Sequence, residues 1–240
     1  MSAYTSDLSI DEALLLDEIG FDPLEFVMGS SFFHIGYTLA SWSQNEEMTV
    51  LTAAMLTARN NAMGRLLEQV RQLGADGVVG VRIVVDHSGH HAEFIAMGTA
   101  VRARTGDWRV NGQPFTSDLS GQDLWALVRA GFRPTALVMG CCVYHVAHQS
   151  LGQWLGKIGN NCEMPNFTQA LYDARELAME RMQAEAKSVG GVGVVGVHID
   201  EGSYGWPPHI IEYLAVGTAI APTGEAAVHD AILPIVSARR

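Results

Sequence analysis

Histidine and cysteine side chains are concentrated in two short stretches of the 240-residue sequence, DHSGHHAE (86–93) and CCVYHVAH (141–148). Imidazole and thiolate groups are the usual protein ligands of zinc, copper and nickel ions. Neither stretch has CxxC spacing, and a vicinal cysteine pair is poorly shaped to wrap one tetrahedral ion. A divalent metal ion (Zn, Cu or Ni) is therefore one hypothesis, and buried structural residues are the alternative. The candidate metal ligands are His87, His91, Cys141, Cys142 and His148.

A second set of candidates consists of polar residues that occur twice at matching positions. A ligand site formed by histidine and glutamate where strands meet is one interpretation of these pairs. Structural histidines at a domain or subunit interface, with an edge-strand glutamate, are the other. The paired arginines could hold an anionic ligand or form an intersubunit salt bridge, because arginine makes forked contacts. The pairs are His34 with His145, His90 with His209, Glu93 with Glu212, and Arg59 with Arg175.

Nucleophilic catalysis has less support in the sequence. Cys141 or Cys142 could act as a thiol with His145 as its base, but no specific third group follows. The matching position of the first half carries Ser30 and Ser31. Buried strand cysteines explain the pattern better, so an enzyme is the least favoured class.

These pairs belong to an internal duplication of most of the chain. The pentapeptide TSDLS occurs at 5–9 and again at 116–120, and FVMGSSFFHIG (26–36) aligns with LVMGCCVYHVA (137–147) at the same offset of 111. The stretches LGADGVVGVRI (73–83) and VGGVGVVGVHI (189–199) align at an offset of 116, and HHAEFIAMGTAV (90–101) aligns with HIIEYLAVGTAI (209–220) at 119. The sequence thus predicts two domains, 1–111 and 112–240.

Each copy predicts the same elements in the same order. A short helix capped by Ser9 or Ser120 ends at a glycine, and a strand, a helix of about 20 residues and two more strands follow. Glycines inside the first strand, Gly29 and Gly140, indicate a close approach of another backbone. The GVVGV runs predict strands covered on both faces. The fold class is α+β, with two tandem β-α-β-β repeats, each preceded by a short capped helix. Such thin units leave sheet edges open, so a closed homo-oligomer is expected.

Charge and hydropathy exclude several classes of partner. The formal net charge is −11 and both halves are acidic, so we expect no nucleic-acid partner. No run approaches the roughly 18 apolar residues of a membrane span, so no membrane partner is expected. Three cysteines that include a vicinal pair favour a reducing compartment and hence the cytoplasm. The acidic first helix could recruit a protein partner.

The strand with VMG, the helix ending in LGAD, the GVVGV strand and the closing GTA strand together resemble the YbjQ-like domain, a family with a heavy-metal-binding label. The resemblance covers about residues 24–101 and, more loosely, 135–220, where the second copy lacks the Ala75-Asp76 of the motif. It implies a dodecin-like β-α-β-β fold and ring assembly, with a pentamer as first choice. The function expected is a non-enzymatic oligomeric binding protein for a divalent metal ion or small ligand at repeat interfaces. The alternative is a ring-forming scaffold that recruits a protein partner.

Overall fold

The computed structural model describes residues 5–34, 44–88, 91–147, 165–202 and 209–224, with the backbone alone at residues 87 and 88. Its helices are α1 (Ile10–Glu18), α2 (Thr49–Gln72), α3 (Gly121–Arg129) and α4 (Pro165–Ser188). Its strands are β1 (Phe21–His34), β2 (Glu46–Glu47), β3 (Gly77–Ser88), β4 (His91–Ala103), β5 (Phe115–Thr116), β6 (Phe132–His145), β7 (Gly193–Gly202) and β8 (Ile210–Pro222).

The strands form two four-stranded sheets, one for each repeat. The first has the order β1-β4-β3-β5 and the second β2-β6-β8-β7. Each contains the predicted antiparallel trio, so the tandem β-α-β-β fold is confirmed. The two-residue strands are exchanged: β2 precedes the first long helix yet pairs with β6, and β5 follows the predicted boundary at 111/112 yet pairs in parallel with β3.

The two short helices begin and end as the sequence predicts. Ser9 accepts a hydrogen bond from the Glu12 amide and the Glu12 carboxylate accepts one from the Ser9 amide, which completes a capping box. Ser120 caps α3 through the Asp123 amide. Both helices end before glycines in the left-handed region, at φ 84° for Gly20 and 80° for Gly131.

The long helices lie close against their own sheets because strand glycines admit them. A Cβ atom on Gly29 would lie 2.2 Å from the Ala62 carbonyl oxygen, and one on Gly140 would lie 1.7 Å from that of Ala178. Ala170, Ala174 and Ala178 are fully buried on the sheet-facing side of α4. Small residues on both surfaces therefore set the helix–sheet distance.

The two repeats differ in how well they are covered. Helix α2 packs on its own sheet and also on the outer face of the second sheet, whereas α4 packs on the second sheet alone among the described elements. In β3 the valines of the GVVGV run, Val78, Val79 and Val81, are buried as the run predicts, whereas Arg82 and Val84 further along the strand are exposed. For β7 the same prediction is wrong: the strand is half-buried at Gly193–Val195 and exposed from Gly196 to Glu201, because it lies at an uncovered sheet edge.

Candidate functional site: the interface between the repeats

Several buried polar contacts lie at the junction of the two repeats. Along the edge of β6 that faces away from β8, the described strands supply only the two-residue strand β2. Helix side chains make hydrogen bonds with several of the other backbone groups on this edge. Thr52 of α2 accepts a hydrogen bond from the Val143 amide at 3.0 Å, and Arg181 of α4 donates to the Cys141 carbonyl at 2.8 Å. Helices of both repeats therefore cap one strand edge.

Arg59 is the cation at the centre of this junction. Its guanidinium is buried and donates to the Glu185 carboxylate at 2.7 Å and to the Leu137 carbonyl at 3.1 Å. The second Glu185 oxygen accepts a hydrogen bond from the Met139 amide at 2.7 Å. Arg59 and Glu185 belong to different repeats, so the salt bridge joins the two halves. Arg175, the matching residue, is exposed and lies over the Tyr172 ring at 5.5 Å.

The second TSDLS segment is shared between the repeats. Along its outer edge, the Ser117 amide donates to the Val78 carbonyl at 3.0 Å, and the Val81 amide donates back to the Ser117 carbonyl at 2.8 Å. The Gly80 amide donates to the Leu119 carbonyl at 3.0 Å. These contacts extend the β3–β5 pairing, so the start of the second repeat closes the edge of the first sheet.

Each TSDLS segment also holds the threonine of the GTA motif in its own repeat. Thr218 is fully buried; its hydroxyl lies 3.1 Å from the Ser117 hydroxyl, accepts a bond from the Asp118 amide at 3.0 Å and donates to the Asp118 carboxylate. Thr99 makes the equivalent contacts with Ser6 and Asp7, including a 2.6 Å bond to the Asp7 carboxylate. We call this arrangement the threonine clamp.

Burial raises the pKa of Asp118 in the second clamp, and hydrogen bonds from Thr218 and the backbone oppose the rise only in part. The His198 ring nitrogen lies 3.7 Å from its carboxylate. In the first clamp Arg82 occupies the matching position and pairs with Asp7 at 2.7 Å. Asp118 thus carries a desolvated carboxylate that faces an imidazole ring, where Asp7 of the first clamp faces a guanidinium.

A cavity of about 270 Å³ lies between β3 of the first repeat and β7 and β8 of the second. Its lining is apolar apart from two carboxylates, and the residues concerned are Ile83, Val84, Val85, Asp200, Gly202, Glu212 and Leu214. Of the predicted ligand residues that the structure describes, Glu212 alone lines this cavity. The cavity can accommodate a small cationic ligand.

The described histidines of the matched pairs lie in or beside paired strands. His34 pairs with His91 across β1 and β4, with ring centroids 5.2 Å apart, and His91 stacks on Phe32 at 5.1 Å. In the second repeat, His145 pairs with Ile210, and its Nδ1 lies 3.3 Å from the Gln44 carbonyl oxygen. Across a ladder rung, Glu93 opposes Phe32 and Glu212 opposes Val143. His209 lies beside Phe167, with ring centroids 6.2 Å apart.

The two cysteines are separated by strand geometry. Cys141 packs into the core shared with α2 and Cys142 into the core under α4, so their sulfur atoms lie on opposite faces of the sheet. Burial raises the pKa of Cys142 to about 12 and raises that of Cys141 well above its ordinary value. Both remain neutral thiols at physiological pH, whereas metal ligation uses thiolates.

Within the described ranges, no three His, Cys, Asp or Glu side chains come together as a metal-ion group. His90, His148 and the side chain of His87 lie outside the described residues, so their roles stay predictions. Among the helices described, none combines the length and apolarity of a membrane span.

The fold and its junction define a tandem-repeat α+β protein whose polar contacts join one repeat to the next. The chain belongs to the YbjQ family, described as "Putative heavy-metal-binding", whose model matches residues 38–104 and 136–223. It is 49% identical over 243 residues to the encapsulin nanocompartment protein Rv1762c of Mycobacterium tuberculosis, an alignment that spans 98% of this chain and 93% of that protein.

Shorter relatives match part of the chain. A UPF0145 protein of Halorubrum lacusprofundi is 42% identical over 59 residues, which is 24% of this chain and 57% of its own length. A UPF0145 protein of Vibrio campbellii is 40% identical over 76 residues, 29% of this chain and 70% of its own length.

Sequence reasoning gave no role to the residues of the threonine clamp. Ser9 and Ser120 were expected to cap helices, and they do. The Ser-Asp pair within each TSDLS segment and the threonine of each GTA motif had no assigned role. The signal was present, because Ser-Asp of TSDLS and Thr of GTA are retained together in both copies. Identical polar residues far apart in sequence predict a contact when both occur twice.

Proposed function

We propose that this chain is a self-assembling component of a protein nanocompartment. The observation that carries the proposal is the 49% identity over 98% of the chain to a protein named for an encapsulin nanocompartment. The internal junction supports it, because a salt bridge, a shared strand and helix side chains already hold one repeat against the next within the chain. The expected closed oligomer contains five chains, and it acts by assembly rather than by catalysis.

A protein partner would meet such an assembly at surfaces that the junction leaves open. Helix α1 docks on α3, where the Glu12 carboxylate accepts a hydrogen bond from the Gly121 amide at 3.2 Å. Its other face exposes Ile10 and Leu14. The acidic, partly apolar surface of α1 is the proposed contact for a partner, which could be a shell protein or a second copy.

Native mass spectrometry of the full chain, desalted and measured over a range of protein concentrations, tests the proposal. We expect one discrete multimer with a whole number of chains, and negative-stain electron microscopy should show closed particles of uniform size. A chain that stays monomeric at every concentration would overturn the assembly function.

A second candidate function is the binding of a divalent cation or a cationic small molecule in the junction cavity. The family description and the carboxylates of Asp200 and Glu212 favour it. Calorimetric titration with Zn²⁺, Ni²⁺ and Cu²⁺ tests it against the Asp200→Asn and Glu212→Gln variants. Binding that the two variants weaken supports the cavity, and binding weakened by His34→Ala and His145→Ala supports the histidine pairs instead. Absence of binding to the wild type excludes both.

A further inference from the structure

We propose that a second copy of this chain docks head to tail on the first, with its Thr5–Ser9 segment added to the open edge of β7. The proposal rests on the assembly function and identifies the surfaces that carry it. The first and second repeats of one chain meet at the internal junction. The proposal is that the second repeat of one copy meets the first repeat of the next copy in the same way.

The acceptor is the edge of β7, which lacks a strand partner among the described residues. Its counterpart β3 is closed by the second TSDLS segment. Val197 is 40% exposed, whereas its counterpart Val81 is 3% exposed. A Cβ on Gly77 would lie 2.2 Å from the Phe115 ring, whereas one on Gly193 would meet nothing nearer than 3.9 Å. Among the described residues, nothing occupies the place on the β7 edge that the second TSDLS segment occupies on β3.

The donor is the first TSDLS segment, in which Ser6 and Asp7 are already held as their counterparts are. At its first residue, the Thr5 carbonyl accepts a hydrogen bond from the Phe26 amide at 2.6 Å, where the Thr116 hydroxyl accepts one from the Leu137 amide. Ser6 and Asp7 grip Thr99 as Ser117 and Asp118 grip Thr218. In the second repeat the matching segment bonds to β3, whereas no described strand forms a ladder with residues 5–9. The counterpart of Phe115 at the head of the segment is Tyr4, which lies outside the described residues. A preorganised segment loses little conformational entropy when it binds.

An independent pair of surfaces gives the same arrangement. The outer face of the first sheet exposes Met28 by 47% and Phe32 by 67%. Their counterparts in the second sheet, Met139 and Val143, are 2% and 0% exposed because α2 covers them. Met28 and Phe32 lie on one face of β1 with Ser30 between them, and large apolar side chains exposed on one sheet face are a feature of interaction surfaces. The repeat relation predicts that α4 of the neighbouring copy covers this face.

The polar contacts of the junction would recur at the same place. Arg59 donates to the Leu137 carbonyl and to Glu185. At the predicted interface, Arg175 of the neighbouring copy would reach the Phe26 carbonyl, and Gln69 would take the place of Glu185. Arg175 is exposed in the single chain, as this role requires. The two surfaces differ from each other, so the contact is head to tail and builds a ring if its rotation closes.

Disulfide cross-linking tests the β7 contact in the full chain. Val78 and Thr116 are paired residues at the internal junction, so Val194→Cys and Thr5→Cys should form a disulfide between copies when combined. Both changes are made in a Cys162→Ser background, since Cys141 and Cys142 are buried. We expect a ladder of covalently joined chains on a non-reducing denaturing gel. The matched control joins Thr5→Cys with Val50→Cys, an exposed valine on α2 outside the predicted contact, and should give no ladder.

The sheet-face contact is tested by a pair of variants at Phe32. Phe32→Asp should dissociate the oligomer to single chains, whereas Phe32→Val, which installs the residue found at the matching position 143, should keep it. An oligomeric wild type that gives no ladder, or only a linkage within one chain, and that survives Phe32→Asp would overturn this interface while leaving the assembly function standing. A monomeric wild type would overturn both.

Discussion

Replacing Thr218 by valine should destabilise the second repeat strongly, because one buried hydroxyl satisfies several groups. It accepts a hydrogen bond from the Asp118 amide at 3.0 Å, donates to the Asp118 carboxylate and lies 3.1 Å from the Ser117 hydroxyl. Valine keeps the shape of threonine but not the hydroxyl. The loss is therefore one of polar contacts and not of packing volume.

The magnitude follows from the groups left without a partner. Ser117 still accepts a bond from the Leu119 amide at 3.1 Å, so its cost is small. The Asp118 amide and carboxylate lose a partner in a buried setting, and each such group costs about 1–3 kcal/mol. We expect Thr218→Val to lower the free energy of unfolding by about 3 kcal/mol. Thr99→Val should cost less, about 1–2 kcal/mol, because Asp7 keeps its 2.7 Å salt bridge with Arg82.

Urea unfolding followed by circular dichroism, at one fixed protein concentration, measures these differences. Thr57→Val is the matched control: its hydroxyl donates to the Ala53 carbonyl on an exposed helix face, so its change should stay within about 0.5 kcal/mol. If Thr218→Val costs no more than Thr57→Val, the clamp does not stabilise the fold and the reasoning is wrong.

Gly140→Ala should destabilise the protein by about 3 kcal/mol or more, since its Cβ would lie 1.7 Å from a helix carbonyl oxygen. Gly64→Ala, with open space around it on α2, should stabilise the protein by about 1 kcal/mol. Thermal unfolding should show a lower midpoint temperature for the first variant and a higher one for the second. Arg59→Met should lower the free energy of unfolding in urea by about 2 kcal/mol. The loss is smaller than for breaking a fully buried ion pair, because Glu185 is partly exposed. An unchanged urea midpoint would contradict the role of Arg59 in joining the repeats. Burial raises the pKa of Asp118, so the folded protein binds this proton more tightly than the unfolded chain. The protonated Asp118 therefore contributes to the free energy of unfolding. This contribution is complete below the pKa of about 3.9 that the carboxyl has in the unfolded chain, and it is lost as the pH rises through the raised pKa of the folded protein. Urea unfolding across that range should therefore show the wild type losing stability relative to Asp118→Asn; parallel curves would refute this.

The order of elements could be predicted because the signals are local and occur twice. A serine cap, a glycine stop and a run of small residues on one helix face each depend on a few neighbouring residues. When Gly29 recurs as Gly140 and Ala58 as Ala174, the alignment of the copies also confirms their register. Strand ends were not apparent from these runs: the GVVGV residues begin β3 and β7, and the strands continue to Ser88 and Gly202.

The exchanged strands and the clamp could not be predicted from local patterns. Two residues, Phe115 and Thr116, are too few to show strand periodicity, and their partner β3 belongs to the other repeat. The cysteine pair shows the opposite limitation. Adjacent thiols look like one site in a sequence, yet strand alternation assigns Cys141 and Cys142 to different cores.

Duplication within one chain restricts the size of the proposed ring. Each copy contributes two repeats, so any closed ring of whole chains contains an even number of repeats. A ring of five repeats cannot be formed from two-repeat chains without leaving one repeat out. A pentamer of this chain contains ten repeats and requires a smaller rotation between neighbours. The second TSDLS segment and its helix lie outside the matched family ranges and at the junction within the chain, and the proposed interface uses the first TSDLS segment in the same way between chains. We expect native mass spectrometry to give five chains, and a different closed count would contradict the pentamer.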